Sequence, residues 1–370
     1  MVTSVSSPEP AVEELGPEPA PDPALGNRIL SKRTLISIGV ALVIVVVAVW
    51  RAPIDWGEAW TRIRHANLAL YILALAVYYL SFVVRGIRWQ VLLANAGMKR
   101  RTVPLIPIVL TSFFVNCVVP AKLGDVYRAY LGRIKQRLPA TKAFGTIVAE
   151  RLLDLCVLMA LLLVAGAYVF HKRAPGELVP YMVIGGLICA AGIAVIAVMK
   201  TGRGTRVLRL MPDGIVRRYE QFRSGAVTSL RRWPRLIPLT VMVWACESGR
   251  LGLVVAALGY SHQVGPSQFV IIALVAALLT TVPFTPGGIG LVEAGMVGVL
   301  IAIAGISDTA AVSITLLDRS ISYGSLVVFG FITFAVTHIR VSQSAPGLPD
   351  DHVGPAPSRA DSQALTHPVR

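Results

Sequence analysis

The sequence has few charged residues and few cysteines. Asp, Glu, Lys and Arg together make up only 15% of the 370 residues, whereas 55% are hydrophobic. Soluble domains do not have this composition, so we interpret the chain as a membrane protein that crosses the bilayer several times. The four cysteines (Cys117, Cys156, Cys189 and Cys246) lie in or beside apolar runs without a Cys-x-x-Cys motif. This placement favours buried small hydrophobic side chains over disulfides or metal ligands.

The motifs of nucleotide and metal chemistry are also absent. No Gly-x-x-x-x-Gly-Lys-Ser/Thr loop is present, so we expect no ATPase of the protein's own. No His-x-x-x-Asp/His or Asp-rich motif indicates a metal, and the few histidines fall in loops or tails. We therefore expect no cofactor, no metal and no catalytic residue. The formal charge of +15 is not arranged as a basic stripe with interleaved aromatics, so we expect no nucleic-acid partner.

Apolar runs of about 20 residues predict membrane-spanning helices, one of them over 68–84 with Arg85 and Arg88 at its end. The predicted order is an acidic, Pro-rich disordered tail (1–30), a membrane domain (31–340) and a second disordered tail (341–370). The membrane domain divides into an anchor helix (34–50), repeat one (68–170), a helix (180–199), a basic cytoplasmic segment (200–235) and repeat two (236–338). The basic segment holds ten Lys or Arg against two acidic residues and is expected to form surface-lying amphipathic helices.

Loops rich in Lys and Arg belong in the cytoplasm, and this rule fixes the topology. Two apolar stretches, 103–119 and 267–305, then enter and leave on the same side as re-entrant hairpins. The predicted fold class is an all-α polytopic membrane protein with about six to eight transmembrane helices and two re-entrant broken hairpins. We expect a multi-pass protein of the bacterial cytoplasmic (inner) membrane with both termini in the cytoplasm.

The two hairpins occupy corresponding positions in an internal repeat. VPAKLGDVYR (119–128) aligns with VPFTPGGIGLVE (282–293), Arg88 with Arg250, and Glu150-Arg151 with Asp318-Arg319, at nearly the same spacing along the chain. By the predicted topology the first unit starts outside and the second inside, so the repeat is inverted. Inverted repeats with interrupted helices are typical of transporters, whose sites lie at the repeat interface. Chance matching of common apolar residues is the alternative.

Ionisable residues inside apolar helices are costly and usually face a cavity or a partner. Arginines and a Pro-Gly-Gly turn with free backbone N–H groups would suit an anionic lipid head group such as phosphate. The predicted lipid-binding residues are Arg85, Arg88, Lys122, Gly124, Asp125, Arg128, Glu150, Arg151, Asp154, Glu247, Arg250, Pro286, Gly287, Gly288, Glu293, Asp318 and Arg319. Two alternatives stay open: Arg85 and Arg88 as snorkelling anchors, and Glu247–Arg250 and Glu150–Arg151 as structural ion pairs.

Five motifs resemble one family. RGIRWQVLLANAG (85–97), NCVVPAKLGDVYRAYLG (116–132), ERLLDL (150–155), PFTPGGIGLVEAG (283–295) and DRSISY (318–323) resemble the flippase-like, lysylphosphatidylglycerol synthase transmembrane-region proteins of bacteria and archaea. The resemblance implies a membrane domain that translocates or accommodates lipids, including aminoacylated phospholipids and lipid-linked glycans. The full synthase also carries an aminoacyl-transfer domain. The polar tail 341–370 stands here instead, so we expect a stand-alone membrane domain without lipid aminoacylation.

The function expected from these observations is flippase-like lipid transport. The protein would translocate or accommodate an anionic lipid or lipid-linked envelope precursor, and its partners would be membrane lipids with anionic head groups. One alternative is a non-transporting membrane partner of a cell-envelope glycosyltransferase. A less favoured alternative is a membrane-embedded lipid-modifying transferase that uses Glu150, Asp154 or Glu293 as its base.

Overall fold

The computed structural model describes residues 55–119, 122–170, 179–202, 212–281 and 285–343. Within these ranges the regular structure is entirely helical, so the all-α prediction is confirmed. The helices are α1 (Trp56–Arg64), α2 (Leu68–Asn95), α3 (Leu105–Val118), α4 (Gly124–Gln136), α5 (Ala140–Phe170), α6 (Val179–Thr201), α7 (Asp213–Ser229), α8 (Trp233–Ala257), α9 (Pro266–Thr280), α10 (Leu291–Ala304), α11 (Asp308–Arg319) and α12 (Leu326–Gln343). The predicted tail 1–30, the anchor helix 34–50 and most of the tail 341–370 lie outside the described residues.

Five helical stretches are long and apolar enough to cross a membrane. They are Leu68–Asn95, Ala140–Val169, Asp213–Ala257, Pro286–Ala304 and Asp308–Val336. The fourth stretch reaches this length because a 3₁₀ turn, Pro286–Gly288, precedes α10. Since α10 itself has only 14 residues, it is about 21 Å long and falls short of the hydrocarbon core of about 30 Å.

Two pairs of short helices form the hairpins. The second pair lies within the predicted stretch 267–305 except for one residue, whereas the first pair extends past the predicted stretch 103–119 to Gln136. Helices α3 and α4 have 14 and 13 residues, and α9 and α10 have 15 and 14. Each arm is therefore about 20 to 23 Å long, too short to cross the bilayer alone. The chain turns back between the two arms of each hairpin.

The helix ends support the internal repeat. Helices α2 and α8 end at Asn95 and Ala257, and α3 and α9 end at Val118 and Thr280, so the spacing between corresponding ends is identical in both pairs. Past the hairpin tips this spacing is larger, as the starts of α5 at Ala140 and of α11 at Asp308 show. The extra residues of repeat two thus lie in its hairpin turn, and α5 corresponds to α11 and α12 together.

The first helices of the two repeats run antiparallel, so the repeat is inverted. The Asn67 backbone N–H at the start of α2 donates to the Ala257 carbonyl at the end of α8, at 2.8 Å. At the other end the Asn95 side chain donates to the Ser229 carbonyl, also at 2.8 Å. The ends from which the two hairpins leave therefore lie on opposite sides of the bundle. Their tips meet between the repeats, where a Cβ on Gly287 would lie 3.4 Å from the Cys117 Cα.

One helix boundary and one packing contact differ from the sequence prediction. Helix α2 continues to Asn95 instead of stopping at residue 84, so Arg85 and Arg88 lie within it. The helix can continue past these arginines because partners on other helices neutralise them inside the bundle. Within the basic segment, α7 packs against the start of α5, with the Phe144 and Phe222 rings 6.0 Å apart. The predicted surface-lying helix is thus packed on one side against a membrane-spanning helix.

All four cysteines are free, and none is fully exposed. Cys117, Cys189 and Cys246 are buried, and Cys156 is half-buried. The prediction of small hydrophobic packing residues is confirmed, and the described residues contain no cluster of His, Cys, Asp and Glu that could hold a metal ion.

Candidate functional site

A cavity of about 520 Å³ lies where the two hairpin tips meet the long helices. Its charged lining comes from α2, α5, α8, α11 and the first hairpin. Ten of the seventeen predicted residues line it, namely Arg85, Lys122, Asp125, Arg151, Asp154, Glu247, Arg250, Gly287, Asp318 and Arg319. Apolar side chains such as Leu155, Leu158 and Leu326 complete the wall. The cavity is therefore amphipathic, with charged groups from both repeats beside an apolar surface.

Behind the cavity, three predicted residues form a buried ion cluster. The Glu150 carboxylate accepts from Arg88 at 2.8 Å and from Arg128 at 3.0 Å. Arg88 and Arg128 are 0% exposed and Glu150 is 1% exposed. The Arg128 guanidinium also stacks 4.1 Å from the Trp89 ring centre. Because none of these three charges reaches the cavity wall, the cluster ties α2, α4 and α5 together instead of lining the site.

The ion pairs of the first repeat are mostly between helices. Arg88 also bonds to Asp154, and Arg151 pairs with Asp125 at 3.0 Å and with Asp154 at 3.5 Å. The predicted structural pair Glu150–Arg151 is therefore wrong. Glu150 pairs with Arg88 and Arg128, whereas Arg151 pairs with Asp125 and Asp154. The predicted local pair of α8 does form, with Arg250 and Glu247 3.4 Å apart.

Equivalent residues of repeat two make equivalent contacts. Arg250 bonds to Asp318, as Arg88 bonds to Glu150. Arg319 pairs with Glu293 at 2.6 Å, as Arg151 pairs with Asp125 at 3.0 Å. The three-dimensional contacts thus follow the sequence alignment of the two repeats, which argues against chance matching.

One ion pair joins the two repeats at their interface. The sequence separation between Arg85 on α2 and Glu247 on α8 equals the separation between the C-terminal ends of these two helices. The two residues therefore occupy the same position in each repeat. They contact each other at 2.8 Å. Arg85 also lies 4.8 Å from the Phe113 ring centre. With 5% of its surface exposed, Arg85 is not a snorkelling anchor, and neither is the fully buried Arg88.

The first hairpin tip depends on close packing at Gly124. Its backbone N–H donates to the Asn116 side chain at 2.8 Å. A Cβ at this position would lie 2.0 Å from the Ser112 carbonyl oxygen. Only glycine therefore lets the start of α4 approach α3 so closely.

The second hairpin tip satisfies its own backbone. Gly287 has a φ of 60°, which favours glycine, and its carbonyl accepts from Arg319 at 3.1 Å. The N–H groups of Gly288 and Gly290 donate to the Thr285 carbonyl and to the Glu293 side chain. The N–H groups of Gly288 and Gly290 are therefore not available to an anion, whereas presentation of the Gly287 N–H to an anion stays a prediction. Pro286, Gly288 and Glu293 build the tip without lining the cavity.

Lys122 differs from every other cation of the site. It lies in the turn between α3 and α4, outside the membrane-spanning helices, with a left-handed φ of 53°. Among the described residues it has no ion-pair or hydrogen-bond partner. Burial, and next the nearby charge of Arg151, lower the pKa of its amino group to about 8. Its charge is thus available to a ligand.

Several cavity residues were missed from the sequence. Tyr78, Asn116, Trp244 and Ser322 line the cavity with polar groups. Trp244 is buried, with 8% of its surface exposed, and its indole N–H has no hydrogen-bond partner among the described residues. Ser322 belongs to a π-helical segment, Ser320–Ser325, whose backbone accepts a hydrogen bond from Tyr78. The polar run SISYGS inside an apolar helix was the available signal, since π-helical turns are frequent at functional sites.

Comparison with known proteins gives matches over most of the chain. The family described as the lysylphosphatidylglycerol synthase TM region matches residues 35–330. A UPF0104 membrane protein of Methanocaldococcus jannaschii is 29% identical over 230 residues, which cover 62% of this chain and 96% of that protein. A UPF0104 membrane protein of Pyrococcus horikoshii is 23% identical over 334 residues, which cover 82% and 96%.

A third relative is longer than the matched region. Glycosyltransferase AglD of Haloferax volcanii is 26% identical over 342 residues, which cover 81% of this chain and 54% of AglD. The chain therefore spans about half the length of this relative.

Proposed function

Since this chain belongs to the lysylphosphatidylglycerol synthase transmembrane-region family, we propose that it is a flippase-like membrane protein. It binds an anionic lipid or a lipid-linked envelope precursor with the head group in the cavity between the hairpin tips. It then allows that head group to pass between leaflets without an ATPase of its own. In this proposal the membrane is the bacterial cytoplasmic membrane, and both termini face the cytoplasm, as the positive-inside rule predicts.

The observation that carries the proposal is the meeting of two inverted hairpins at one charged cavity. The hairpins enter from opposite sides of the bundle, so each tip separates the cavity from one face of the membrane. Transporters with inverted repeats bind their substrates at such an interface and expose the site to either side by moving one repeat against the other. The charged lining supplies an anion with partners at a depth where an isolated charge is costly.

The amphipathic wall fits a lipid better than a small ion. Five cations are set among carboxylates on one part of the wall, and leucines and alanines from α5, α9 and α12 form another. A head group can pair with the charged part while its acyl or prenyl chains remain against apolar surface. The carboxylates offset the excess positive charge, so the empty cavity does not hold several unpaired cations in low dielectric.

Reconstitution into liposomes tests the proposal directly. Purified protein should accelerate the leaflet exchange of a fluorescent anionic phospholipid, measured by dithionite quenching, about tenfold or more over protein-free liposomes. Arg151→Ala and Arg319→Ala, which remove cavity cations, should slow exchange. Arg62→Ala is the matched control, because Arg62 pairs with Glu58 on the half-exposed helix α1. Exchange at the protein-free rate, across anionic lipids, would refute the transport function.

The match to AglD supports a second candidate. In this alternative the chain is a non-transporting membrane partner of a cell-envelope glycosyltransferase, and the cavity presents a lipid-linked substrate to that enzyme. Co-purification of such an enzyme in stoichiometric amount, with full glycosyl transfer by cavity-charge variants such as Arg319→Ala, would favour the partner role over transport.

A lipid-modifying transferase has less support. Two of the three candidate bases, Glu150 and Glu293, are held by arginines and do not line the cavity. Asp154 does line it, but Arg88 and Arg151 both contact its carboxylate. All three carboxylates are thus engaged in ion pairs with arginines, so we propose that the chain itself is not an enzyme.

A further inference from the structure

The charges of the cavity wall do not balance. The lining contains five cations (Arg85, Lys122, Arg151, Arg250 and Arg319) and four carboxylates (Asp125, Asp154, Glu247 and Asp318), which leaves one positive charge. The partners behind the wall add two cations, Arg88 and Arg128, and two carboxylates, Glu150 and Glu293, so the excess stays at one. The site is therefore electrically complete except for a single negative charge.

The excess charge can be assigned to one residue. Every arginine of the set has a carboxylate partner, including Arg85 with Glu247 at 2.8 Å, Arg151 with Asp125 at 3.0 Å and Arg319 with Glu293 at 2.6 Å. Lys122 has no such partner among the described residues, although it lines the same cavity. A cation that is partly removed from water without a partner is costly, and a bound anion would relieve that cost.

The backbone at Lys122 gives a second, independent indication. Its φ of 53° lies in the left-handed region that a non-glycine residue seldom occupies. Glycine or asparagine would fit this turn with less strain, and strained positions of this kind concentrate at ligand sites. The unpartnered indole N–H of Trp244, a residue of the same wall, provides an additional donor.

We propose that Lys122 binds the phosphate of the head group and that the cavity selects a head group with one negative charge, a phosphodiester, over a diphosphate. This inference rests on the proposed head-group site and deepens it by naming the substrate class. One phosphodiester charge matches the single excess cation. A diphosphate would bring at least one further negative charge beside Asp125, Asp154 and Glu247, where no free cation remains among the described residues.

Binding in detergent tests the selectivity without requiring transport. The full-length protein is titrated with three lipids that share dioctanoyl chains, and binding is followed by native mass spectrometry. They are phosphatidylglycerol (a phosphodiester with one charge), diacylglycerol diphosphate, and zwitterionic phosphatidylcholine. We expect phosphatidylglycerol to bind about tenfold tighter than either of the others, a difference of about 1.4 kcal/mol. The additional phosphate charge of the diphosphate lipid meets no free cation among the described residues, and the choline group of phosphatidylcholine brings a positive charge into a lining that already has one excess cation.

Variants at Lys122 keep the test independent of folding. Lys122→Asn removes the charge but tolerates the left-handed backbone, and it should lower phosphatidylglycerol affinity about tenfold with an unchanged melting temperature. Lys122→Arg keeps the charge and should retain the affinity. Equal or tighter binding of the diphosphate lipid, or unchanged phosphatidylglycerol affinity in Lys122→Asn, would overturn the inference.

Lipid binding in detergent and leaflet exchange in liposomes test the two proposals separately. Selective phosphatidylglycerol binding that depends on Lys122, together with no leaflet exchange in liposomes, supports this inference and refutes transport. Leaflet exchange that proceeds faster for the diphosphate lipid supports transport and overturns this inference.

Discussion

At the scale of single residues, burial separates charges that hold the fold from charges that can meet a ligand. Glu150 accepts from two arginines and none of the three side chains is accessible. Taking such charges out of water is costly, and their mutual contacts offset that cost only while all partners are present. Removing one member should therefore reduce stability before it changes binding.

Glu150→Gln tests this role. It leaves Arg88 and Arg128 buried beside a neutral amide, so we expect the free energy of unfolding to fall by about 3 to 5 kcal/mol. Denaturation by SDS in mixed micelles measures the change. Glu58→Gln is the matched control, because Glu58 pairs with Arg62 at a half-exposed position and should cost at most about 1 kcal/mol. Similar losses in the two variants would contradict the structural role.

Lys122 should make anion binding depend on pH. Burial, followed by the charge of Arg151, lowers the pKa of its amino group to about 8, while Asp125 acts in the opposite direction. The charged form is thus lost as the pH rises through about 8. Affinity for phosphatidylglycerol should be constant near pH 6.5 and should fall between about pH 7.5 and pH 9. Titration of Lys122→Arg, which stays charged over this range, should show no such fall, and a fall of equal size there would assign the pH dependence to another group.

At the scale of elements, the hairpins combine short arms with tips that only a few residues can build. The sequence predicted both hairpins, because Pro and Gly interrupt an apolar run and because basic residues flank the stretch 103–119 on both sides. It placed the first hairpin within 103–119 alone, since the basic residues of α4, its second arm, indicated a cytoplasmic segment. It did not predict the extent of α2, because Arg85 and Arg88 interrupt the apolar run while the acids that neutralise them lie on other helices. The π-helical segment was missed for a similar reason: its backbone is held by contacts such as Tyr78 to Ser322 that no local pattern encodes.

Gly124→Ala tests the packing of the first hairpin. The added Cβ would lie 2.0 Å from the Ser112 carbonyl oxygen, so α4 must move away from α3, and we expect a destabilisation of about 1 to 3 kcal/mol. A thermal melt in detergent measures it. In Gly298→Ala on α10 the added Cβ meets open space, and the helix should be unchanged or more stable by up to about 1 kcal/mol. Equal melting temperatures for the two variants would show that the arms are not closely packed.

At the scale of the whole molecule, two inverted repeats share a plan but differ in charge. The repeat was predictable from a few aligned charges and breakers. The ion pairs were not predictable, because Arg151 pairs with Asp125 on another helix and not with its neighbour Glu150. In the alignment that matches Arg151 with Arg319, Met296 stands where repeat one has Arg128. The buried ion cluster of Arg88, Arg128 and Glu150 therefore has no counterpart in repeat two. The lipid-binding role of the cavity residues stays a prediction.

The inverted repeat makes a prediction about sidedness. Val103, beside the base of the first hairpin, and Ser261, beside the base of the second, are both exposed. In a protein whose four cysteines are replaced by alanine, Val103→Cys should react with a membrane-impermeant maleimide only from the cytoplasmic side. Ser261→Cys should react only from the opposite side. His65→Cys is a control for that side, since α1 contacts the chain just after the end of α8 through Arg62 and Tyr260. If Val103→Cys and Ser261→Cys reacted from one side, the hairpins would not be inverted, and alternating exposure of a shared cavity would lose its structural basis.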